Sequence, residues 1–312
     1  MTVITGDKIT PSQAHEFLAV AAARLSLPLG EVCRVLDTPS DLRLTADQAV
    51  FQSIANLADE LLRPRRYTPA IVDNFYVSAR SGHAGEKSFV GGLEALRSHG
   101  YPLGAVESLP LQVTQRFLGL GNVWRGIDEL GPIRFLDVGC GAGTDLGVAF
   151  YLSGGTSTVV GIDTRPDLLE FAATACPSAL LAIGSVSKLP FAERYFDVVV
   201  ANGLPPLQRP NTLAMSARQL CAVALPGGRV ASSVLVAAPT LLRDLAGAFP
   251  AYGGVFVQSL ATLATGKPTV EDVKSAFFAA SADVEVHIGF NPYLDATDRA
   301  MTAMLEVVAI PQ

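Results

Sequence analysis

Two stretches of the 312-residue chain carry residue types whose spacing suits ligand chemistry. In the first, Phe135-Leu136-Asp137-Val138 runs as an apolar strand into Gly139-Cys140-Gly141-Ala142-Gly143. Glycine admits positive φ and removes the Cβ that would hold a ligand off the backbone, and a helix that follows aims its free N–H groups at that ligand. The sixth position of the turn is Thr144, not the last glycine of a dinucleotide fingerprint. Asp137 stands two residues before Gly139, where a carboxylate can meet an amine or an ordered water. The second stretch is Val159-Val160-Gly161-Ile162-Asp163. Asp163 closes the next strand 24 residues after Gly139, the place from which a carboxylate accepts both ribose hydroxyls. Its other use would be to cap the helix that begins at Pro166.

The remaining reactive side chains are scattered. Cys33, Cys140, Cys176 and Cys221 include no two within four residues, so no CxxC zinc or redox pair exists and no metal site is expected. Cys140, inside the glycine turn, reads as a small packing residue. His15 falls on a capped helix, His99 before Gly100 reads as a helix C-terminus, and His287 alternates within a strand toward the sheet exterior.

The elements that must position these residues change character near residue 130. Before it, helical signals dominate. Thr10-Pro11-Ser12-Gln13 and Thr45-Ala46-Asp47-Gln48 are capping boxes that open apolar repeats at helical spacing. A short helix is expected near Tyr67–Tyr76, a flexible loop over Ser81–Gly85, and a weaker helix over Leu111–Leu118. After residue 130, strands and helices alternate. Strands are predicted at Arg134–Val138, Thr158–Ile162, Leu180–Ile183, Phe196–Ala201, Arg229–Val236, Val284–Phe290 and Met304–Ile310. Helices are predicted at Asp145–Leu152, Pro166–Ala175, Asn211–Ala224 and Val270–Ala280. Short apolar strands separated by helices imply an α/β fold with a parallel sheet covered on both faces. The short link Asn291–Ala303 implies that the last strand runs antiparallel.

Composition narrows the function. AVILMFWYC residues make up 49% of the chain, ample for a core, and Lys+Arg 23 against Asp+Glu 29 leaves a net charge of −6. Phosphate neutralisation needs clustered cations, so no nucleic-acid partner is expected. The one dense basic run, Arg63-Pro64-Arg65-Arg66, reads as a solvated helix end. With no signal-like start and no apolar run of membrane-spanning length, no membrane partner and a cytoplasmic location are expected.

Taken in order, the glycine turn, Asp163, Gly184-Ser185-Val186-Ser187-Lys188-Leu189-Pro190-Phe191, Phe196-Asp197-Val198-Val199-Val200-Ala201-Asn202 and Leu225-Pro226-Gly227-Gly228-Arg229 resemble the class I S-adenosylmethionine-dependent methyltransferases. The resemblance spans residues 116–312 and implies a seven-stranded Rossmann-like sheet with S-adenosylmethionine as cofactor. It implies a cofactor site built from Asp137, Gly139, Gly141, Gly143, Asp163, Thr164, Ser185, Val186 and Asn202. Ser185 departs from the family's usual acid in the adenine loop, so a hydroxyl replaces a charge-assisted acceptor there.

Upstream, Gly100-Tyr101-Pro102, Val106-Glu107-Ser108-Leu109-Pro110 and Leu118-Gly119-Leu120-Gly121-Asn122 are similar to the lead-in of arsenite methyltransferases and their small-molecule relatives. Asp73-Asn74-Phe75-Tyr76 resembles the segment that covers the cofactor there. Soft As(III) needs converging thiolates, and the position after Asn202 is Gly203 rather than cysteine, so arsenic chemistry does not carry over. Residues 1–115 are then expected to form a helical substrate cap, with Tyr76 and His83 as candidate catalytic groups. The resemblance implies methyl transfer to a small, largely apolar molecule of natural-product biosynthesis, with a homodimer left open. Two other readings stand beside it: a methyltransferase-fold cyclase or binding protein, and a nicotinamide-dependent oxidoreductase.

Overall fold

The computed structural model describes residues 91–248, 258, 261–262, 265, 267–290 and 302–312. The capping-box helices, the Arg63–Arg66 run, the segment containing Tyr76 and the loop containing His83 lie outside the described residues, as does His15.

Three short helices open the described chain: α1 (Gly92–His99), α2 (Leu103–Ser108) and α3 (Leu111–Thr114). There follow β1 (Arg134–Val138), α4 (Thr144–Leu152), β2 (Thr158–Asp163), α5 (Pro166–Ala175), β3 (Leu180–Ile183) and β4 (Phe196–Asn202). A 3-10 turn at Pro205–Gln208 leads to α6 (Pro210–Val223), β5 (Ala224–Ala237), α7 (Pro239–Ala248), α8 (Val270–Phe278), β6 (Ser281–Ile288) and β7 (Thr302–Pro311). The seven strands form one sheet in the order β3-β2-β1-β4-β5-β7-β6. Strands β1 to β5 are mutually parallel, and β7 lies antiparallel between β5 and β6. The expected reversal of the last strand is therefore present.

Alternation along the strands splits the core in two. Leu136, Ile162, Val199 and Ala201 face one way and pack with Leu213, Leu220, Val273 and Phe277 of α6 and α8. Phe135, Val159, Val198 and Val200 face the other way and pack with Leu146 and Ala172 of α4 and α5, with Leu96 and Val106 of α1 and α2 and with Tyr101 between them. Both faces of the central strands are thereby buried, as a parallel sheet requires. The outermost strand is less covered, with Leu180 and Ile183 both exposed.

β5 begins five residues earlier than its apolar run suggests. Phe196 pairs with Ala224 and Val198 with Arg229, so Leu225–Gly228 loops out of register between them. Gly227 supplies a left-handed residue in that irregularity, at φ 74°. β6 covers Ser281–Ile288, three residues earlier at its start than the sequence pattern placed it.

Candidate active site

The strand order reverses between β1 and β4, and the carboxyl ends of the parallel strands open there into a cavity of about 370 Å³. Such a switch point is where open α/β sheets bind ligands. The glycine turn forms its floor. Gly139 and Cys140 both donate their N–H to Ile162 O at 2.8 and 3.0 Å, which ties the turn to the end of β2. Gly141, at φ 52°, has nothing within 4 Å of the place a Cβ would occupy, so its bare backbone faces open space. Gly143 serves differently. It sits at the N-cap of α4 with φ 85°, and a Cβ there would come within 2.6 Å of Ala172 Cα, so it allows α4 and α5 to touch.

Asp163 closes β2 and lines the cavity. Its Oδ2 accepts from Gly141 N and its Oδ1 from Arg165 N, each at 2.8 Å. The α5 N-cap is Arg165, with no capping bond from a side chain, so Asp163 braces the glycine turn rather than the helix. Burial raises its carboxyl above the usual range, and the two backbone N–H groups oppose that rise. Thr164, Ser185, Val186 and Asn202 line the same cavity. Ser185 Oγ accepts from Ser187 N and the Ser187 hydroxyl at 3.3 and 3.1 Å, which fixes the turn around it. Asp137 and Gly143 stand behind the wall rather than in it.

The sequence reading missed a network around Asp145. This first-turn residue of α4 lines the cavity. Its Oδ1 accepts from the Tyr101 hydroxyl at 2.8 Å and from Trp124 Nε1 at 2.7 Å, and its Oδ2 accepts from Asn202 Nδ2 at 3.2 Å. Asn202 Oδ1 in turn accepts from Leu120 N and the Ser233 hydroxyl. Five segments of chain are thus tied together at the end of β4. Only the Asp145 position after the turn carried a local hint; its partners lie 21 to 57 residues away. His99 ends α1, as expected, and is buried; among the described residues neither ring nitrogen has a hydrogen-bond partner. Cys140 is buried and its thiol pushed up by that burial, which suits packing and not reactivity. His287 is exposed on β6.

Three acids, Asp137, Asp145 and Asp163, are buried together at the glycine-turn end. Asp137 is held well above the usual carboxylate range, first by burial and then by Asp145 and Asp163. Burial likewise raises Asp145, against the pull of its three donors. Among the described residues no group of acids, cysteines and histidines is arranged to hold a metal ion. No described helix is long and apolar enough to cross a membrane.

A glycine turn after β1, an acid closing β2 and a seven-stranded sheet with β7 reversed between β5 and β6 define the class I S-adenosylmethionine-dependent methyltransferase fold. Residues 132–275 match the family described as "Methyltransferase domain". Among solved structures, the chain is similar to an arsenic(III) S-adenosylmethionine methyltransferase from Chlamydomonas reinhardtii, at 20% identity over 67% of this chain and 73% of that one, TM-score 0.46. It is also similar to an S-adenosylmethionine-dependent methyltransferase from Mesorhizobium loti, at 20% identity over 60% and 95%, TM-score 0.41. A third is a TehB-like methyltransferase from Corynebacterium glutamicum, at 16% identity over 78% and 100%, TM-score 0.42. No curated protein matches the chain.

The cofactor of this class is S-adenosylmethionine, and the residues present fit it. The exposed backbone at Gly141 leaves room for a ligand, Asp163 offers acceptor oxygens to a diol, and Asp145 lines the same cavity.

Proposed function

We propose that the protein transfers a methyl group to a small, largely apolar molecule, in natural-product biosynthesis. The observation that carries this reading is the makeup of the cavity away from the glycine turn. There Phe117, Leu118, Leu204, Pro205 and Pro206 supply an apolar wall beside the end of β4. S-adenosylmethionine supplies a methyl group already activated on a sulfonium, so the protein's task is to align an acceptor with it and keep water away. The Asn202 network holds the β4 end rigid for that purpose, and the apolar wall excludes solvent. On this reading residues 1–115 complete the acceptor pocket as a cap, and Tyr76 and His83 take the acceptor's proton where the nucleophile is protonated.

The experiment is a two-stage one with the full chain. Calorimetric titration with S-adenosylmethionine, S-adenosylhomocysteine and NAD should give binding of the first two and none of the third. Incubation with methyl-labelled S-adenosylmethionine and a mixture of small phenols, amines, thiols and carboxylic acids should then give a product heavier by the labelled methyl. Cofactor binding with no label transferred to any acceptor would favour the cyclase or binding-protein reading. Binding of NAD alone would favour the oxidoreductase.

A further inference from the structure

The cavity wall made by Phe117, Leu118 and Gly119 continues into a strap that the sheet holds by its backbone. Three successive N–H groups are each taken by a side chain of a strand. Leu120 N and Gly121 N donate to Asn202 Oδ1 of β4, at 2.9 and 3.3 Å. Asn122 N donates to Glu306 Oε1 of β7, at 2.8 Å. A Cβ on Gly121 would fall 2.8 Å from Met304 Sδ and 3.0 Å from Glu306 Cγ, so the strap lies directly against β7.

Glu306 is buried in the middle of the sheet, opposite Ser233 of β5 and His287 of β6. Strand pairing makes no use of its carboxylate. Burying a carboxylate is costly unless a charge and hydrogen-bond donors meet it. Here the donors are Asn122 N on one oxygen and Arg125 Nε on the other, and both belong to the segment beside the cavity wall. Asn122 passes the tie on. Its Nδ2 donates to Gly100 O at 2.8 Å, and its Oδ1 accepts from Trp124 N at 2.9 Å. Tyr101, which follows Gly100, and Trp124 are the residues whose side chains donate to Asp145, and Asp145 lines the cavity. One carboxylate on β7 thus stands behind both the wall at Phe117–Gly119 and the orientation of Asp145.

We propose that Glu306 is a positioning residue for cofactor binding, acting through Asn122 on the cavity wall and on the side chains that hold Asp145. This rests on the cavity being the S-adenosylmethionine site. The reversed strand β7 then does more than complete the sheet. It anchors the segment between α3 and β1 at a fixed height over the carboxyl ends of β1 and β4, and the cavity keeps its shape before a ligand enters. Preorganisation of this kind raises affinity by removing the cost of ordering the wall on binding.

The test uses the full chain and S-adenosylhomocysteine, with two readouts. One is calorimetric affinity. The other is the emission of Trp124, the single tryptophan of the chain, which is buried with its indole N–H on Asp145. Glu306→Leu should raise the Kd about tenfold and move the emission of the apo protein to longer wavelength, as the strap loosens and water reaches the indole. Glu306→Gln, which keeps an oxygen for Asn122 N, should recover most of the affinity and of the wild-type emission. Leu305→Ala, on the same strand but in the core of the opposite face, should lower the melting temperature and leave both readouts as in the wild type. That contrast separates positioning from loss of stability. If Glu306→Leu does not fold, Asn122→Ala interrupts the same relay with β7 intact and should show the same two changes. Wild-type affinity and emission in a folded Glu306→Leu or Asn122→Ala protein, or an equal loss in Leu305→Ala, would overturn the proposal. Failure of the wild type to bind S-adenosylhomocysteine would instead remove the cofactor reading beneath it.

Discussion

Replacing Asp163 by alanine probes the cofactor site at the point where its geometry is best defined. The carboxylate lines the cavity and is already braced by Gly141 N and Arg165 N, one on each oxygen. Each oxygen keeps a second lone pair for a ribose hydroxyl. Loss of a hydrogen bond to a charged acceptor is worth about 1.5–3 kcal/mol, which corresponds to a Kd for S-adenosylhomocysteine raised about 10- to 150-fold. Two opposed terms set the stability of the apo variant. The Gly141 and Arg165 N–H groups lose their acceptor, at about 1 kcal/mol for partly exposed donors. Against this, a carboxylate that burial disfavours has been removed. The melting temperature should therefore move by no more than about 4 °C, and Asp163→Asn, which keeps one acceptor, should lose less affinity than alanine. The assay is calorimetric titration beside a thermal melt of each variant. A folded Asp163→Ala protein with unchanged affinity would refute the assignment of this residue to the ribose.

Gly141→Val should abolish S-adenosylhomocysteine binding in a protein that still folds, because its side chain enters the open space above the turn at a φ of 52° that branched residues resist; retained calorimetric affinity would show that the turn does not line the site. Asp137→Asn should raise the apo melting temperature, and by more as pH rises. The folded carboxyl is raised above its unfolded value, so its contribution is fully present below the ordinary carboxylate range and is lost as pH climbs through the raised value; an offset from wild type that is constant with pH would contradict this. His99→Phe should blunt acid denaturation. Burial lowers His99 to about 4, against the opposing charge of Glu306. Its contribution is complete above about 6.5 and fades as pH falls toward 4. Phenylalanine suits the site, where the ring meets Phe117 and Phe290 edge-on. Melts of both proteins between pH 4 and 7 check it, and parallel curves would show that His99 does not titrate with unfolding.

Strands β1 to β4 and helix α5 were legible because their signal is local. An apolar run bounded by Gly139, by Asp163 or by the Gly184 turn needs no distant partner to be recognised, and Pro166 marks its own helix start. The glycine turn and Asp163 were legible for the same reason, since the chemistry lies in residue type and spacing along one βαβ unit. Of the helices α1 and α2, only the end of α1, at His99, was legible. Gly92–His99 is short and carries Glu94, Arg97 and His99 among its apolar residues, and it is held by burial of Ala95 and Leu96 against the sheet rather than by its own pattern. The looped-out residues at the start of β5 depend on pairing with Phe196 and Val198, which no local pattern reports. The decisive cases are at the site. Tyr101, Trp124, Asp145 and Asn202 belong to four separate segments, and only the sheet order brings them to one end of β4. The turn at Pro268, whose carbonyl accepts the N–H of Ala237 at the end of β5, takes its place only when the whole sheet is assembled. Periodicity and residue type act over a few residues, whereas burial and electrostatic environment are set by contacts across the fold.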